Sequence, residues 1–182
     1  MPRVPAHTLD DAPEQTRPTL EALNQRMGKL LNIHAGMAHS PVVLGAYSGI
    51  QEAITQHGTF DGRTREAIAL GVGAVDHCDY CQSAHTLGGK AAGLEPELML
   101  AIRAGQPTGD DKLDTLLAVV REAAAEVGTV QDDTWKRAQA AGWSDEELAE
   151  AFAHLAVNLF TNYFNHYVGT ELDLPAAPAL DG

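Results

Sequence analysis

Apolar residues recur at helical spacing along almost the whole chain. Leu20, Leu23, Met27, Leu30 and Leu31 fall three or four apart and predict a short helix over 18–31. Ser40 followed by Pro41 marks a helix start, and Gly58 marks its end. Asp61 can cap the next segment, 62–75, whose AIALGVGAV run is apolar on every side and so predicts burial. Asp76 or His77 is expected to open a further helix that stops near Gly88–Gly89 or Gly93. Glu95-Pro96 predicts another that ends at Gly105. Residues 110–127 are amphipathic, with Leu113, Leu116, Leu117, Val120 and Ala124 on one side, and 131–141 form a shorter helix closed by Gly142. Ser144-Asp-Glu-Glu147 reads as a capping box opening a helix to about Val168. No sustained alternation or hairpin signal competes. The pattern predicts an all-α fold, a single-domain helical bundle over 18–172. A flexible, proline-rich N-terminal arm (1–17) and a C-terminal tail (173–182) flank it.

Composition narrows the class. At 182 residues with 45% hydrophobic content, the chain can bury a real core. A net charge of −13 argues against nucleic acid and anionic membrane as partners. The first eighteen residues hold four prolines and no apolar run, so no signal peptide is expected. Two cysteines in so long a chain do not make a secreted disulfide framework, and a cytoplasmic location is expected. Residues 151–170 contain no Asp, Glu, Lys or Arg, but His154, Asn158, Asn162, Asn165 and His166 are too polar for lipid.

The candidate chemistry is concentrated in 66–85, EAIALGVGAVDHCDYCQSAH. The only cysteines, Cys78 and Cys81, are spaced as Cys-x-x-Cys, with His85 four residues on and Glu66 twelve before. On a helix, positions three apart have Cα atoms roughly 5 Å from each other, within the range of about 4.4–6.8 Å that a disulfide tolerates. His85 then shares their face. Two thiols that can join or part beside an imidazole are the parts of a redox centre. A thiol must ionise to attack, and unperturbed cysteine has a pKa near 8.5. The helix N-terminus favours a thiolate at Cys78; the histidine spacing favours Cys81. Glu66 serves by accepting a proton or orienting His85, since a bare carboxylate beside a thiolate would raise its pKa. Zinc on Cys78, Cys81 and His85 or His77 is the rival reading, weakened because no second cysteine pair exists.

The run FDGRTREAIALGVGAVDHCDYCQSAHTLGGKAAGL resembles the core of the alkylhydroperoxidase D branch of the carboxymuconolactone decarboxylase superfamily, closely over 60–95. That core carries Glu, Cys-x-x-Cys and a following His, all present as Glu66, Cys78, Cys81 and His85. Some members place a His between the cysteines, where this chain has Asp79 and Tyr80. The decarboxylases typically lack the cysteine pair, so the likeness points away from lactone chemistry, although a decarboxylase-like enzyme or a non-catalytic module on the same fold stays open. The resemblance implies a thiol-dependent peroxidase or disulfide oxidoreductase without cofactor or metal. Cys81 would attack and Cys78 resolve, with Glu66 and His85 as proton relay. It implies a hydroperoxide substrate, an external dithiol reductant of lipoyl or thioredoxin-like type, and a homo-oligomer, trimer or hexamer. The stripe His154, Asn158, Asn162, His166 is a buried polar seam or a pocket lining, with Tyr80, His154 and Asn158 as candidate pocket residues. The run TNYFNHYVGTELDLP also resembles the end of a peroxidase-related subgroup.

Overall fold

A computed structural model describes residues 1–180. Among the described residues it has nine α-helices and no strand. In chain order they are α1 (Arg17–Met27), α2 (Asn32–Met37), α3 (Pro41–His57), α4 (Gly62–Val75), α5 (Asp79–Ala91), α6 (Pro96–Arg103), α7 (Asp111–Ala125), α8 (Asp132–Ala140) and α9 (Asp145–Val168).

The caps explain the boundaries. Ser40 accepts from the Val43 amide, Asp61 from Thr64 and Asp110 from Leu113. Ser144 and Glu147 form the reciprocal box expected from sequence. Two boundaries differ from expectation. The segment 18–31 does not stay helical: α1 ends at Met27 with Gly28 left-handed (φ 74°), and α2 is a separate six-residue helix. The cysteine helix is opened by neither Asp76 nor His77. Its N-cap is Cys78, whose sulfur accepts the Cys81 amide.

The all-apolar segment is the hub. In α4, Ile68, Leu70 and Val72 are fully enclosed, and α5, α6, α7 and α9 all pack on it. Each such side chain removed from water stabilises the fold by about 1.5–3 kcal/mol. One core cluster joins α4, α6, α7, α8 and the first half of α9. A second holds α1 to α3, the two cysteines and Val157 of α9. The cysteine pair therefore sits inside packed apolar structure.

Both ends of the described chain are held against the helices. The arm is docked rather than flexible: the Arg3 amide donates to the Val168 carbonyl at 2.6 Å, and Ala12 and Thr16 are buried. The tail is pinned across α5. Asp173 accepts from the Tyr80 hydroxyl at 2.7 Å and pairs with Lys29 at 3.1 Å. The Ala177 amide donates to Ser83 Oγ, and Arg103 donates to the Pro178 carbonyl. Within 151–170 one side of α9 is open, where Phe152 (66%), Tyr163 (56%) and Tyr167 (78%) are exposed. No helix among the described residues is long and apolar enough to cross a membrane.

Candidate active site

Helix α4 leads directly into the site. After Val75 the chain turns through His77, a non-glycine residue at φ 51°. Such a conformation costs of order 1–3 kcal/mol and persists where the surroundings fix it. Here the Cys78 amide bonds the Gly73 carbonyl at 3.1 Å and the Gln82 amide bonds the Cys78 carbonyl at 2.9 Å. The turn delivers Cys78 to the mouth of α5, and one helical turn later Cys81 faces it.

The two sulfurs lie 2.9 Å apart, both free and both buried. Asn165 of α9 donates its side-chain amide to Cys81 Sγ at 3.3 Å and approaches Cys78 Sγ at 3.8 Å. Two thiols this close share their protons. Once one ionises, the other donates to it and becomes far harder to ionise itself. The Cys81 thiol hydrogen bond is the main influence that pulls Cys78 down to about 7, against burial, with help from the Cys81 amide and Asn165. Conversely the Cys78 sulfur, and then burial, push Cys81 well above the ordinary thiol range. The pair is thus built to carry one negative charge near neutral pH.

Glu66 and His85 meet as the sequence suggested. Glu66 Oε2 lies 2.9 Å from His85 Nδ1, across the α4–α5 contact. Gly88 makes this possible: a Cβ there would stand 2.6 Å from Glu66 Oε2. Among the described residues, His85 makes no hydrogen bond to either sulfur, and the cavity lies between them.

That space is a cavity of about 840 Å³. Cys81, Tyr80, Glu66 and His85 line it, with His154, Asn158 and Thr161 of α9 opposite. Cys78 does not line it. Leu31, Ile33, Ile54 and Val157 supply apolar wall, and Leu174 and Pro175 of the tail complete it. Tyr80 has its hydroxyl on Asp173, and burial drives its phenol upward. His154 is nearly enclosed and bonds Glu150 at 3.1 Å, while burial lowers its pKa. The Asn158 amide donates to the His154 carbonyl.

The polar stripe of α9 therefore divides. His154 and Asn158 face the cavity, as the pocket reading expected. Asn162 and His166 instead hold the α4–α5 turn, donating to the Asp76 carboxylate at 2.7 Å and meeting the Asp76 carbonyl at 2.9 Å. Sequence reasoning gave Asn165 no role, yet it touches both thiols. The signal was there: at about 100° per residue, Asn165 lies ~20° round the helix from His154, whereas His166 lies ~120° away.

The geometry defines a class: an all-helical protein presenting a buried dithiol, one sulfur toward a cavity shared with a carboxylate–imidazole pair. Residues 41–122 match the model of the Carboxymuconolactone decarboxylase family. An uncharacterized peroxidase-related protein from Ralstonia eutropha JMP134, described as an alkylhydroperoxidase AhpD core, superposes with a TM-score of 0.83 at 18% identity, over 94% of this chain and 92% of that one. A peroxidase-related protein from Silicibacter sp. TM1040 gives 0.77 at 17% identity, over 97% and 96%. The debrominase Bmp8, as a cysteine-to-alanine variant in complex with 2,3,4-tribromopyrrole, gives 0.79 at 19% identity, over 93% and 91%. No curated protein matches by sequence. The chain thus carries a match to the carboxymuconolactone decarboxylase family model over 41–122 and shares, over nearly its whole length, the all-helical fold of these peroxidase-related proteins and the debrominase.

Proposed function

We propose that this protein is a thiol-dependent peroxidase that reduces organic hydroperoxides through the Cys78–Cys81 pair. One observation carries the reading: two free thiols 2.9 Å apart, of which Cys81 faces a cavity also lined by the Glu66–His85 pair. At rest the single negative charge favours Cys78, which is outside the cavity. A proton passing from Cys81 to Cys78 across that short gap places the thiolate on Cys81, where Asn165 stabilises it. This combines the electrostatic preference for Cys78 with an attack by Cys81.

The cycle balances as follows. The Cys81 thiolate attacks the terminal oxygen of R–O–OH; the S–O bond forms and the O–O bond breaks. The departing alkoxide takes a proton from His85, which Glu66 orients, and leaves as R–OH. Cys81 is now a sulfenic acid, and the Cys78 thiol condenses on it with loss of water. Two electrons have passed from the thiols to the peroxide, and a Cys78–Cys81 disulfide remains. With no third cysteine in the chain, an external dithiol of lipoyl or thioredoxin-like type returns the two electrons by disulfide exchange.

The likeness to a debrominase favours a second outlet for the same two electrons, replacement of an aryl bromine by hydrogen with release of bromide. The test is turnover of an organic hydroperoxide with dihydrolipoamide, measured for wild type and Cys81→Ser. Peroxide loss at background rate in both would leave the debromination reading. The exposed aromatic face of α9 (Phe152, Tyr163, Tyr167) supports a homo-oligomer, trimer or hexamer. Sedimentation at the 19.4 kDa monomer mass would refute that assembly.

A further inference from the structure

The cavity has a charge opposite to that of the molecule around it. The chain carries a net charge of −13, yet the charged residues lining the cavity are Arg26, Lys29 and Arg65 against Glu66 alone. Glu66 is committed to His85, and Lys29 to Asp173 of the tail. Among the described residues, Arg26 and Arg65 have no ion-pair partner. Their fields reach inward: Arg26 acts on His34 and Tyr47, and Arg65 acts on His154. His34, pushed down to about 4 mainly by burial, is neutral at physiological pH and adds no charge. Two guanidinium groups without a carboxylate partner are therefore left at the rim of the space, Arg26 also meeting the Tyr47 hydroxyl.

We propose that the cavity selects an amphipathic organic anion, its acid group drawn to the positive rim that Arg26 and Arg65 provide and its apolar body lying against Ile33, Ile54 and Val157. This rests on the peroxidase reading and narrows its substrate to an organic hydroperoxide that carries a carboxylate or comparable acid group. Volume supports the choice. About 840 Å³ is the size of a site for a drug-sized molecule, and hydrogen peroxide would leave it almost empty. The acid group engages at the solvent side, so the reacting end of the molecule is directed inward to Cys81. Both arginines are exposed and keep much of their hydration, which limits the preference to about five- to tenfold.

Equilibrium binding to the reduced protein tests this apart from the chemistry, with phenylbutyrate and its neutral amide as probes. Phenylbutyrate should bind about five- to tenfold more tightly at low salt, and the advantage should vanish in high salt. Arg26→Gln combined with Arg65→Gln should bring the two affinities together, and Lys at both positions should restore most of the difference. Equal affinities in wild type, no binding of either probe, or a preference that survives the double Gln variant would each overturn the proposal. A charge-selective cavity in a protein that consumes no hydroperoxide would instead sink the peroxidase reading and leave the anion site standing. In turnover the same arginines should act on KM, with kcat for a carboxylate-bearing hydroperoxide little changed.

Discussion

Removing the Cys81 sulfur while keeping Cys78 isolates the interaction that makes the thiol pair acidic. The Cys81 thiol is the largest influence lowering Cys78 to about 7; burial, which remains after the change, opposes it. In Cys81→Ala the midpoint should therefore climb to about 8.5 or above, the free-thiol value. A rise of about 1.5 units corresponds to about 2 kcal/mol of differential stabilisation of the thiolate. At pH 7 the ionised fraction should fall from about one half to about 3%. The ultraviolet absorbance of the thiolate, followed against pH, reads this directly and needs no reagent to enter a buried site. Wild type should show one ionisation near pH 7 and no second until the protein unfolds, because Cys81 is pushed far upward. Cys81→Ser keeps a hydroxyl donor and should fall between the two. A midpoint in Cys81→Ala that stays near 7 would refute the shared-proton account and leave the helix N-terminus as the cause.

Gly88→Ala forces its Cβ onto Glu66 Oε2, and the flexible carboxylate is the part that yields. Helix α5 should keep or gain stability, by up to about 1 kcal/mol, while turnover at neutral pH falls as it does in Glu66→Gln. Both deficits should persist above pH 7, where the thiol pair is already ionised, because the Glu66–His85 pair serves the departing alkoxide; deficits that vanish once the pair is ionised would reassign Glu66 to thiol ionisation. Asp173→Asn weakens the anchor that holds the tail to Tyr80 and Lys29. A loss of about 1.5 kcal/mol there should raise the opening of the strap about tenfold, seen as faster alkylation of Cys81 by a bulky maleimide. An unchanged rate would mean that the tail does not control access.

Much of the fold could be read from the chain because local rules agreed with the tertiary structure. Ser40-Pro41, Asp61 and the Ser144–Glu147 box start helices where they should, and the uncharged 67–75 run is the buried hub. The short α2 carries no side-chain cap, so nothing local announced it. Cys78 as an N-cap also went unread, since Ser, Thr, Asp and Asn dominate that position and Asp76 and His77 stood beside it. Of the site, His85 was singled out by its offset from the cysteines and Glu66 by the family resemblance, and the structure sets the two 2.9 Å apart. Asn165 was missed because counting in steps of four drifts about 40° per step from the true period of 3.6. Tyr80 was found as pocket wall, but its role as the hook for Asp173 depends on a contact 93 residues away. The arginines at the rim carry no motif at all. Only the packed chain sets Arg26 of α1 beside the same cavity as Arg65 of α4.

The central claim is that the Cys78–Cys81 pair gives two electrons to a peroxide within one chain. A single-turnover experiment tests it most directly: fully reduced protein mixed with one equivalent of an organic hydroperoxide, quenched, and weighed by mass spectrometry beside a free-thiol count. The account predicts one alcohol formed per chain, loss of both thiols, a mass lower by two hydrogens, and no covalent dimer on a non-reducing gel. Thiols that survive the peroxide, or crosslinks only between chains, would contradict it.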